Sequence, residues 1–472
     1  MKTGRSLRFF NTLTRRVEPF EPLEPGRVRL YTCGPTVYDF AHIGNFRTYV
    51  WEDLLRRLLK YRGLAVTQAM NITDVEDKII RDSLSAGVGL REFTERYIKA
   101  FFEDLETLSI EKAEFYPRAT DHIPEMVELI QTLAGRGCAY ESAGSIYFRI
   151  AGFPGYGRLS KLDPAGIKDG ARVDSDDYEK DNARDFVLWK ARKEGEPSWS
   201  TPLGEGRPGW HIECSAMSMK YLGSSFDIHT GGVDNIFPHH ENEIAQSEAA
   251  TGQPFVRCWL HSAHLMVDGQ KMSKSKGNFY TLRDLLGMGL HPQAIRYFLM
   301  SSHYRKPLNF TLEAVGQAGQ ALARLHDFTE RLDRAVPAAG TARDGRDETA
   351  EAVSSHRDGF DAALDDDMNT AEALAALFEV VRLVNAAMDR GEASPPTLSA
   401  ASGLVRDFRS VFGITPRSHD ELTKEEAALV AARQDARMRK DYAEADRIRG
   451  ILLERGIVLE DTAGGARVKR TR

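Results

Sequence analysis

An alternation of short apolar runs with helical patterns near the start of the chain is the feature that most restricts its fold. Residues Val28–Cys33 form a β-rich run, Phe46–Tyr61 repeat with the helical period, and a second apolar run covers Leu64–Ile72 before another helical stretch. This β-α-β-α order predicts an α/β fold built on a parallel, Rossmann-type sheet. Because ligands bind at the carboxyl ends of the strands in such sheets, Cys33 and Thr73 mark a candidate site.

The rest of the 472-residue chain changes character several times, and its length alone predicts about three domains. Residues 116–208 are rich in glycine and charge and break the β-α rhythm, which predicts an insertion. Residues 311–415 have apolar residues at helical spacing, which predicts a helical bundle; examples are Leu322, Leu325, Phe328 and Leu332. The last segment has a helical pattern and ends in a basic tail. We predict a Rossmann-type domain split over 1–115 and 209–262, an insertion over 116–208, a loop-and-helix region over 263–310, an α-helical bundle over 311–415 and a small C-terminal module over 416–472.

Composition narrows the class of protein. Apolar residues make up 42% of the chain and charged residues 28%, and no uninterrupted apolar stretch approaches the ~20 residues needed to cross a membrane. We therefore expect a globular cytoplasmic protein, without a signal peptide. The four cysteines are far apart, which argues against a disulfide scaffold and leaves metal ligation or simple burial open. A net charge of -6 does not indicate a nucleic-acid binder, so any RNA contact must come from local clusters of Lys and Arg.

The element His42-Ile-Gly-Asn45 lies between the first predicted strand and the first predicted helix. A helix N-terminus offers backbone donors and a positive dipole to a phosphate, and Gly44 permits a ligand to approach closely. These four residues alone are equally consistent with an ordinary turn that carries a solvent-exposed histidine.

A basic loop is predicted over Lys271–Asn278, after a hairpin-type turn at Asp268-Gly269. The lysines and hydroxyls of this loop could neutralise the charge that develops on a departing polyphosphate. Composition alone favours the alternative of a solvated Lys-Ser surface loop.

A third group contains residue types that bind metals: Cys33, Cys214, His239 and Glu243. His239 and Glu243 are four residues apart, so on a helix they share one face. Two cysteines, a histidine and a carboxylate suit zinc. The alternatives are that each cysteine is a small buried apolar residue and that the His-Glu pair lies on the surface.

The His-Ile-Gly-Asn element and the later Lys271-Met-Ser-Lys-Ser resemble the two nucleotide-binding motifs of class I aminoacyl-tRNA synthetases, with Asn45 in place of the second histidine. Further strings resemble one family of that class, the cysteinyl-tRNA synthetases, over nearly the whole chain. These strings are Tyr31-Thr-Cys-Gly-Pro-Thr-Val-Tyr, Asn71-Ile-Thr-Asp, Gly209-Trp-His-Ile-Glu-Cys-Ser, Gly231-Gly-Val-Asp and Phe237-Pro-His-His-Glu-Asn-Glu.

The resemblance implies a ligase that activates L-cysteine with ATP as cysteinyl-adenylate and transfers the cysteine to the 3′ end of tRNA(Cys). It implies one Zn²⁺ per chain on the four residues of the third group, and Mg²⁺ accompanying ATP. The zinc would select the substrate thiol, because shape alone rejects an isostere such as serine only about 10- to 200-fold. A monomer is expected.

The resemblance also implies roles for individual residues. His42, Asn45, Lys271 and Lys274 are the expected catalytic residues, because the first two would contact the triphosphate and the lysines would stabilise the departing pyrophosphate. The expected ATP contacts are His42, Gly44, Asn45, Gly231, Gly232, Asp234, Lys271 and Lys274. The expected cysteine contacts are Thr73, Trp210 and Asp234.

Two of these residues have ordinary alternatives, because Trp210 could equally be a core tryptophan and Asp234 a turn residue. Asn235, next to Asp234, departs from the apolar residue that is usual in the family.

Two other functions remain open. A cysteine ligase that transfers the same adenylate to an amino sugar resembles the catalytic core, but its chains are shorter at the C-terminus, whereas this chain continues through a segment that begins at Ser418 and resembles an anticodon-reading module. A non-catalytic RNA-binding paralogue with a structural zinc is disfavoured by the intact His42, Lys271 and Lys274.

Overall fold

A computed structural model describes most of the chain, and all statements about its structure concern the described residues. These are residues 6–162, 185–273, 276–338, 347–414, 424–439, 441–454, 457–462 and 465–470.

A four-stranded parallel sheet forms the centre of the first domain, in the order β11-β10-β3-β4. Its strands are β3 (Arg27–Thr32), β4 (Ala65–Met70), β10 (Phe226–Gly232) and β11 (Val256–Ser262). A separate N-terminal hairpin, formed by β1 (Arg8–Asn11) and β2 (Arg16–Pro19), precedes them in the chain. The pairing of β3 with β10 brings together two strands that are separated by the whole insertion. The predicted α/β fold with a parallel sheet, an insertion and a return to the sheet is confirmed.

The helices of this part connect the parallel strands or pack beside them. The first helix begins three residues earlier than the sequence pattern predicts, because His42 caps it and Ile43-Gly-Asn45 form its first turn. The helices are α1 (Ile43–Tyr61), α2 (Asp77–Ala86), α3 (Leu90–Thr107), α4 (Ile123–Gly135), α5 (Trp210–Leu222) and α6 (Glu241–Thr251).

The insertion contains a five-stranded antiparallel sheet, ordered β5-β6-β7-β9-β8, where the sequence indicated only mixed segments. These strands are only three to six residues long, and one of them, β9, contains two glycines, so their alternation of apolar and polar residues is weak. They are β5 (Ala139–Ser142), β6 (Ser145–Phe148), β7 (Phe186–Ala191), β8 (Trp199–Thr201) and β9 (Gly204–Pro208).

The predicted hairpin turn at Asp268-Gly269 is confirmed. It joins the antiparallel strands β12 (Leu265–Val267) and β13 (Gln270–Lys271), and both of its residues have positive φ, 48° and 73°. Strand β14 (Leu308–Phe310) lies parallel to β12. The helices of this region are α7 (Leu282–Gly287) and α8 (Pro292–Met300).

Four helices form the predicted bundle: α9 (Leu312–Ala338), α10 (Glu348–Asp365), α11 (Thr370–Asp389) and α12 (Pro395–Phe412). The four apolar residues predicted to face the core from α9 are all buried. No helix among the described residues is long and apolar enough to span a bilayer.

One buried guanidinium joins the bundle to the first domain. Arg296 is fully buried, donates to the carbonyl oxygens of Phe412 at 2.8 Å and Leu108 at 2.9 Å, and forms an ion pair with Asp53 on α1. Three separate elements therefore share one cation.

The C-terminal module corrects one expectation. Helices α13 (Lys424–Met438) and α14 (Tyr442–Glu454) follow the predicted helical pattern, but the described residues of the expected basic tail, 466–470, lie in a strand. Strand β16 (Gly465–Arg470) pairs antiparallel with β15 (Ile457–Thr462), and β15 contributes Ile457 and Leu459 to a small apolar core with α14.

Candidate active site

The four predicted metal ligands meet at the carboxyl edge of the parallel sheet; we call them the ligand cluster. Cys33 follows β3, and Cys214 lies on α5. His239 lies in the short helical segment Ile236–His240, which continues into α6, and Glu243 lies in the first turn of α6. Their Sγ, nitrogen and carboxylate atoms all lie within 4.8 Å of one another. The helical spacing places His239 Nε2 3.1 Å from Glu243 Oε1. The structure therefore brings together residues that are separated by up to 210 positions in the sequence.

The chemistry of the ligand cluster fits a soft divalent cation. Oxygen Oε1 of Glu243 is buried and makes no hydrogen bond, although His239 Nε2 lies 3.1 Å away, and an ion would satisfy this oxygen. The adjacent Cys214 side chain and burial hold the pKa of the Cys33 thiol well above its ordinary value. Burial lowers the pKa of His239 to about 3, so its imidazole is neutral at pH 7 and suited to ligation.

Two histidines support the ligand cluster from outside. His211 Nδ1 lies 2.9 Å from Nδ1 of His239, and His229 Nε2 lies 2.9 Å from Glu243 Oε2. Such outer partners fix the orientation of a metal ligand and its tautomer.

An overlapping group of Cys33, His229, His240 and Glu243 also meets the distance condition. In that group, ligation by His229 Nε2 would break its hydrogen bond to Glu243. The ligand cluster keeps this bond, so its geometry is the better fit.

The His42-Ile-Gly-Asn element opens α1 with a reciprocal cap. His42 Nδ1 accepts from the Asn45 N–H at 3.1 Å, and Asn45 Oδ1 accepts from the His42 N–H at 3.1 Å. With Nδ1 used as an acceptor, the neutral ring carries its proton on Nε2, and the Asn45 amide keeps Nδ2 as a donor. Both side chains are half-buried at a helix N-terminus, where donors and dipole favour an anion.

The two nucleotide motifs predicted from the sequence lie side by side. A Cβ added to Gly44 would lie 3.1 Å from the Met272 Cε atom, and Ile43 N–H donates to the Tyr280 carbonyl at 2.9 Å. Lys271 is exposed at the end of β13. Lys274 lies outside the described residues, so its predicted role remains a prediction.

The Gly231-Gly232 pair ends β10 beside the ligand cluster. A Cβ on Gly231 would lie 2.8 Å from the His240 ring, and one on Gly232 would overlap the Asp234 carboxylate. Asp234 is exposed in the short helical turn Val233–Asn235. The absence of side chains at both glycines keeps this strand end open.

Beneath this strand end lies a buried acid. Glu52 of α1 accepts from the Thr230 hydroxyl at 2.6 Å, and its other carboxylate oxygen is buried without a partner. Burial raises the pKa of Glu52 to about 8.

The predicted cysteine contacts lie on both sides of the ligand cluster. Trp210, 39% exposed, stacks on the His239 ring with a centroid distance of 4.3 Å. Thr73 is buried, and its hydroxyl donates to Glu213 Oε2 at 3.1 Å while accepting from Asn71 Nδ2 at 3.2 Å. Trp210 is thus partly exposed beside the ligand cluster, whereas the Thr73 hydroxyl is hydrogen-bonded to protein groups.

Sequence reasoning missed several residues of the site: Glu213, His211, His229, His240 and His261. Their contacts are between distant parts of the chain, as with Thr73 and Glu213, which are 140 residues apart. A signal was present, because Glu213 precedes Cys214 directly, His240 follows His239, and His261 lies near the carboxyl end of a strand.

Family models match three segments of the chain. Residues 19–320 match the tRNA synthetases class I (C) catalytic domain, 359–415 the DALR domain, and 419–468 the cysteinyl-tRNA ligase anticodon binding domain.

Full-length relatives and solved structures agree with these matches. A cysteine–tRNA ligase of Solibacter usitatus is 52% identical over 468 residues, which cover 98% of this chain and 100% of the relative. One from Leptospira interrogans is 48% identical, with 98% and 99% covered. The structure of Mycobacterium tuberculosis methionyl-tRNA synthetase with methionyl-adenylate matches with a TM-score of 0.62 at 16% identity, covering 83% of this chain and 92% of that chain, which indicates a shared fold.

Proposed function

The chain belongs to the cysteine–tRNA ligase family of class I aminoacyl-tRNA synthetases, and from that premise we propose that it selects L-cysteine by its thiol with a zinc ion. In this proposal the carboxylate of cysteine attacks the α-phosphorus of ATP, which forms cysteinyl-adenylate and releases pyrophosphate. A hydroxyl at the 3′ end of tRNA(Cys) then takes the cysteine and releases AMP. The family membership supports the ligase reaction, and the selection of the thiol is our extension of it.

One observation carries the proposal: four metal-binding groups converge within 4.8 Å at a buried position where one carboxylate oxygen makes no hydrogen bond. Zinc held by Cys33, Cys214, His239 and Glu243 would supply a soft Lewis acid that prefers a thiolate to a hydroxyl. Serine differs from cysteine by one atom, and a pocket that relied on shape would separate them poorly. Trp210, stacked on His239, would contact the substrate beside the ligand cluster.

The remaining residues bind and orient ATP. His42 and Asn45 donate to the triphosphate from the start of α1, and Gly44, Gly231 and Gly232 give the nucleotide room to lie against backbone. Asp234 is proposed to contact the adenosine or the substrate ammonium. Lys271 and Lys274 stabilise charge on the departing pyrophosphate, and Mg²⁺ accompanies the nucleotide.

The division of the chain follows the five segments predicted from the sequence, with the module over 416–472 reading the anticodon of tRNA(Cys). A model of an anticodon binding domain matches 419–468 and supports this assignment. We further propose that the enzyme acts as a monomer in the cytoplasm, where its four free cysteines stay reduced.

The test combines two assays on the same preparation. Cysteine-dependent ATP–pyrophosphate exchange is measured without tRNA, and attachment of labelled cysteine to tRNA is measured on filters, each with serine as the competitor and after removal of zinc by a chelator. We expect both activities with cysteine, neither with serine, and loss of both without zinc. Exchange without attachment favours transfer to another acceptor such as an amino sugar, and the absence of both favours a non-catalytic paralogue. Full activity without metal removes the role of zinc.

A further inference from the structure

Cys33 and Cys214 belong to different elements that are far apart in the chain, and no covalent bond links the two thiols. Cys33 lies in the loop after β3, whereas Cys214 lies in the second turn of α5. A metal site needs its ligands held at a set spacing before the ion arrives, or binding must first order them. Some part of the surroundings must therefore connect these two elements.

The loop that contains Cys33 is joined to the segment after β4 by backbone contacts. Val37 N–H donates to the Thr73 carbonyl at 3.1 Å, and Thr73 N–H donates to the Pro35 carbonyl at 3.0 Å. Gly34 lies so close to this segment that an added Cβ would overlap the Asn71 carbonyl oxygen. The loop and the segment thus form one unit.

Side chains extend this connection to α5. Gly34 N–H donates to Asn71 Oδ1 at 2.9 Å, Asn71 Nδ2 donates to Thr73 Oγ1 at 3.2 Å, and Thr73 Oγ1 donates to Glu213 Oε2 at 3.1 Å. We call this series the Asn71–Thr73–Glu213 chain. It begins at the residue after Cys33 and ends at the residue before Cys214.

The Asn71–Thr73–Glu213 chain is buried throughout, with Asn71 3%, Thr73 1% and Glu213 0% exposed. All donors point in one direction, so the Thr73 hydroxyl is used both as acceptor and as donor. Removing that hydroxyl would take away the acceptor of Asn71 Nδ2 and the donor to Glu213 Oε2, two buried atoms for which the loss of a hydrogen bond is costly.

We propose that the Asn71–Thr73–Glu213 chain is a positioning device that sets the separation of Cys33 and Cys214 and so tunes the affinity of the ligand cluster for zinc. This inference rests on the proposed zinc site. Thr73 and Glu213 act through the cysteines that they position, and neither is itself a ligand. Loss of such an outer partner typically weakens metal binding about 10- to 100-fold.

The test is the zinc affinity of the full-length enzyme without substrates, measured by competition with a chromophoric chelator. Thr73→Val removes the hydroxyl with little change of shape, and we expect zinc to bind about 10- to 100-fold more weakly. Thr73→Ser keeps the hydroxyl and should restore the affinity. If valine prevents folding, Thr73→Ala breaks the chain with a smaller side chain.

A matched control separates positioning from general stability. Thr397 in α12 is also buried, and its hydroxyl donates to the Asp347 carboxylate at 3.1 Å, far from the ligand cluster in the fold. Thr397→Val should lower the unfolding midpoint without changing the affinity for zinc. An unchanged affinity in Thr73→Val, or an equal loss in Thr397→Val, would overturn the inference, whereas a wild-type enzyme that binds no zinc would overturn the proposed zinc site instead.

Discussion

The ligand cluster is closed in by protein, whereas the residues predicted to bind phosphate are half-buried or exposed. Glu243 is 0% and Cys33 9% exposed, and both lie within a network of buried hydrogen bonds. His42 and Asn45 are held by one reciprocal cap, and Lys271 is exposed at a strand end. The two regions meet in one site but differ in how much of their geometry exists before a substrate binds.

This difference is consistent with the function proposed for each region. The ligand cluster is proposed to distinguish a thiol from a hydroxyl, which requires a fixed arrangement of ligands in a region of low dielectric. A triphosphate is large and strongly charged, and donors on a helix N-terminus and a loop can close around it. We therefore expect substitutions in the ligand cluster to change substrate identity and metal content. Substitutions in the basic loop over Lys271–Asn278 should change the rate of the reaction.

The largest effect is expected from Cys214→Ser. A hydroxyl is a poorer ligand for zinc than a thiolate, so the enzyme should bind zinc more weakly by more than the ~10- to 100-fold that follows loss of an outer partner, and cysteine-dependent exchange should fall with it. Metal content after dialysis and exchange rate are the two measurements.

Cys138→Ser provides the matched control for this variant. Cys138 is also a buried free thiol but lies in the insertion, at the start of its antiparallel sheet. It should keep its zinc and its activity. If Cys214→Ser also keeps both, Cys214 does not belong to the ligand cluster.

A smaller effect, confined to rate, is expected from Lys271→Ala. Removal of one group that stabilises charge in a transition state typically costs about 10²- to 10³-fold in turnover, and because Lys271 is exposed before ATP binds we expect the lower end of this range. Steady-state exchange at saturating cysteine measures the effect, and zinc content should be unchanged.

Lys276→Ala is the control, since Lys276 is an exposed lysine of the same loop whose Nζ contacts Gln270 Oε1 at 3.4 Å. Equal losses in the two variants would mean that the net charge of the loop matters and that Lys271 has no specific role.

The smallest effect concerns stability and its dependence on pH. Glu52 has a pKa of about 8 in the folded protein against an ordinary value of 4.5, so the folded state holds this proton more tightly than the unfolded state. Its contribution to stability is therefore full below about pH 4.5 and is lost as pH rises towards 8. Glu52→Gln cannot ionise and should flatten this part of the curve.

Urea denaturation at pH 5, 6.5 and 8 of both proteins measures the difference. An equal decline in the wild type and in Glu52→Gln would assign the pH dependence to other groups. The zinc content of the two proteins should agree at each pH, which would show that Glu52 affects stability without affecting the ligand cluster.

Local patterns predicted those parts of the structure that depend on local spacing. The end of β3 placed Cys33, the four-residue spacing joined His239 to Glu243, and Asp268-Gly269 gave the hairpin. These features follow from the period of a helix, the direction of parallel strands and the φ preference of turn residues.

The parts that could not be predicted depend on contacts between distant residues. Nothing near Glu213 in the sequence shows that its carboxyl meets Thr73, and nothing near Glu52 shows that Thr230 lies above it, because each pairing follows from the order of strands in the sheet. The antiparallel sheet of the insertion escaped detection for a related reason, since its short strands carry little alternation and are stabilised by their neighbours.

The cation shared by α1, α8 and the ends of α3 and α12 has a mechanical consequence. Arg296 forms an ion pair with Asp53 and also donates to the Phe412 carbonyl, and Asp53 lies on α1, the helix that His42 caps. Helix α1 also packs directly against α12. We therefore expect a displacement of the C-terminal end of α12 to shift α1, and with it the helix N-terminus at which His42 and Asn45 are predicted to bind phosphate.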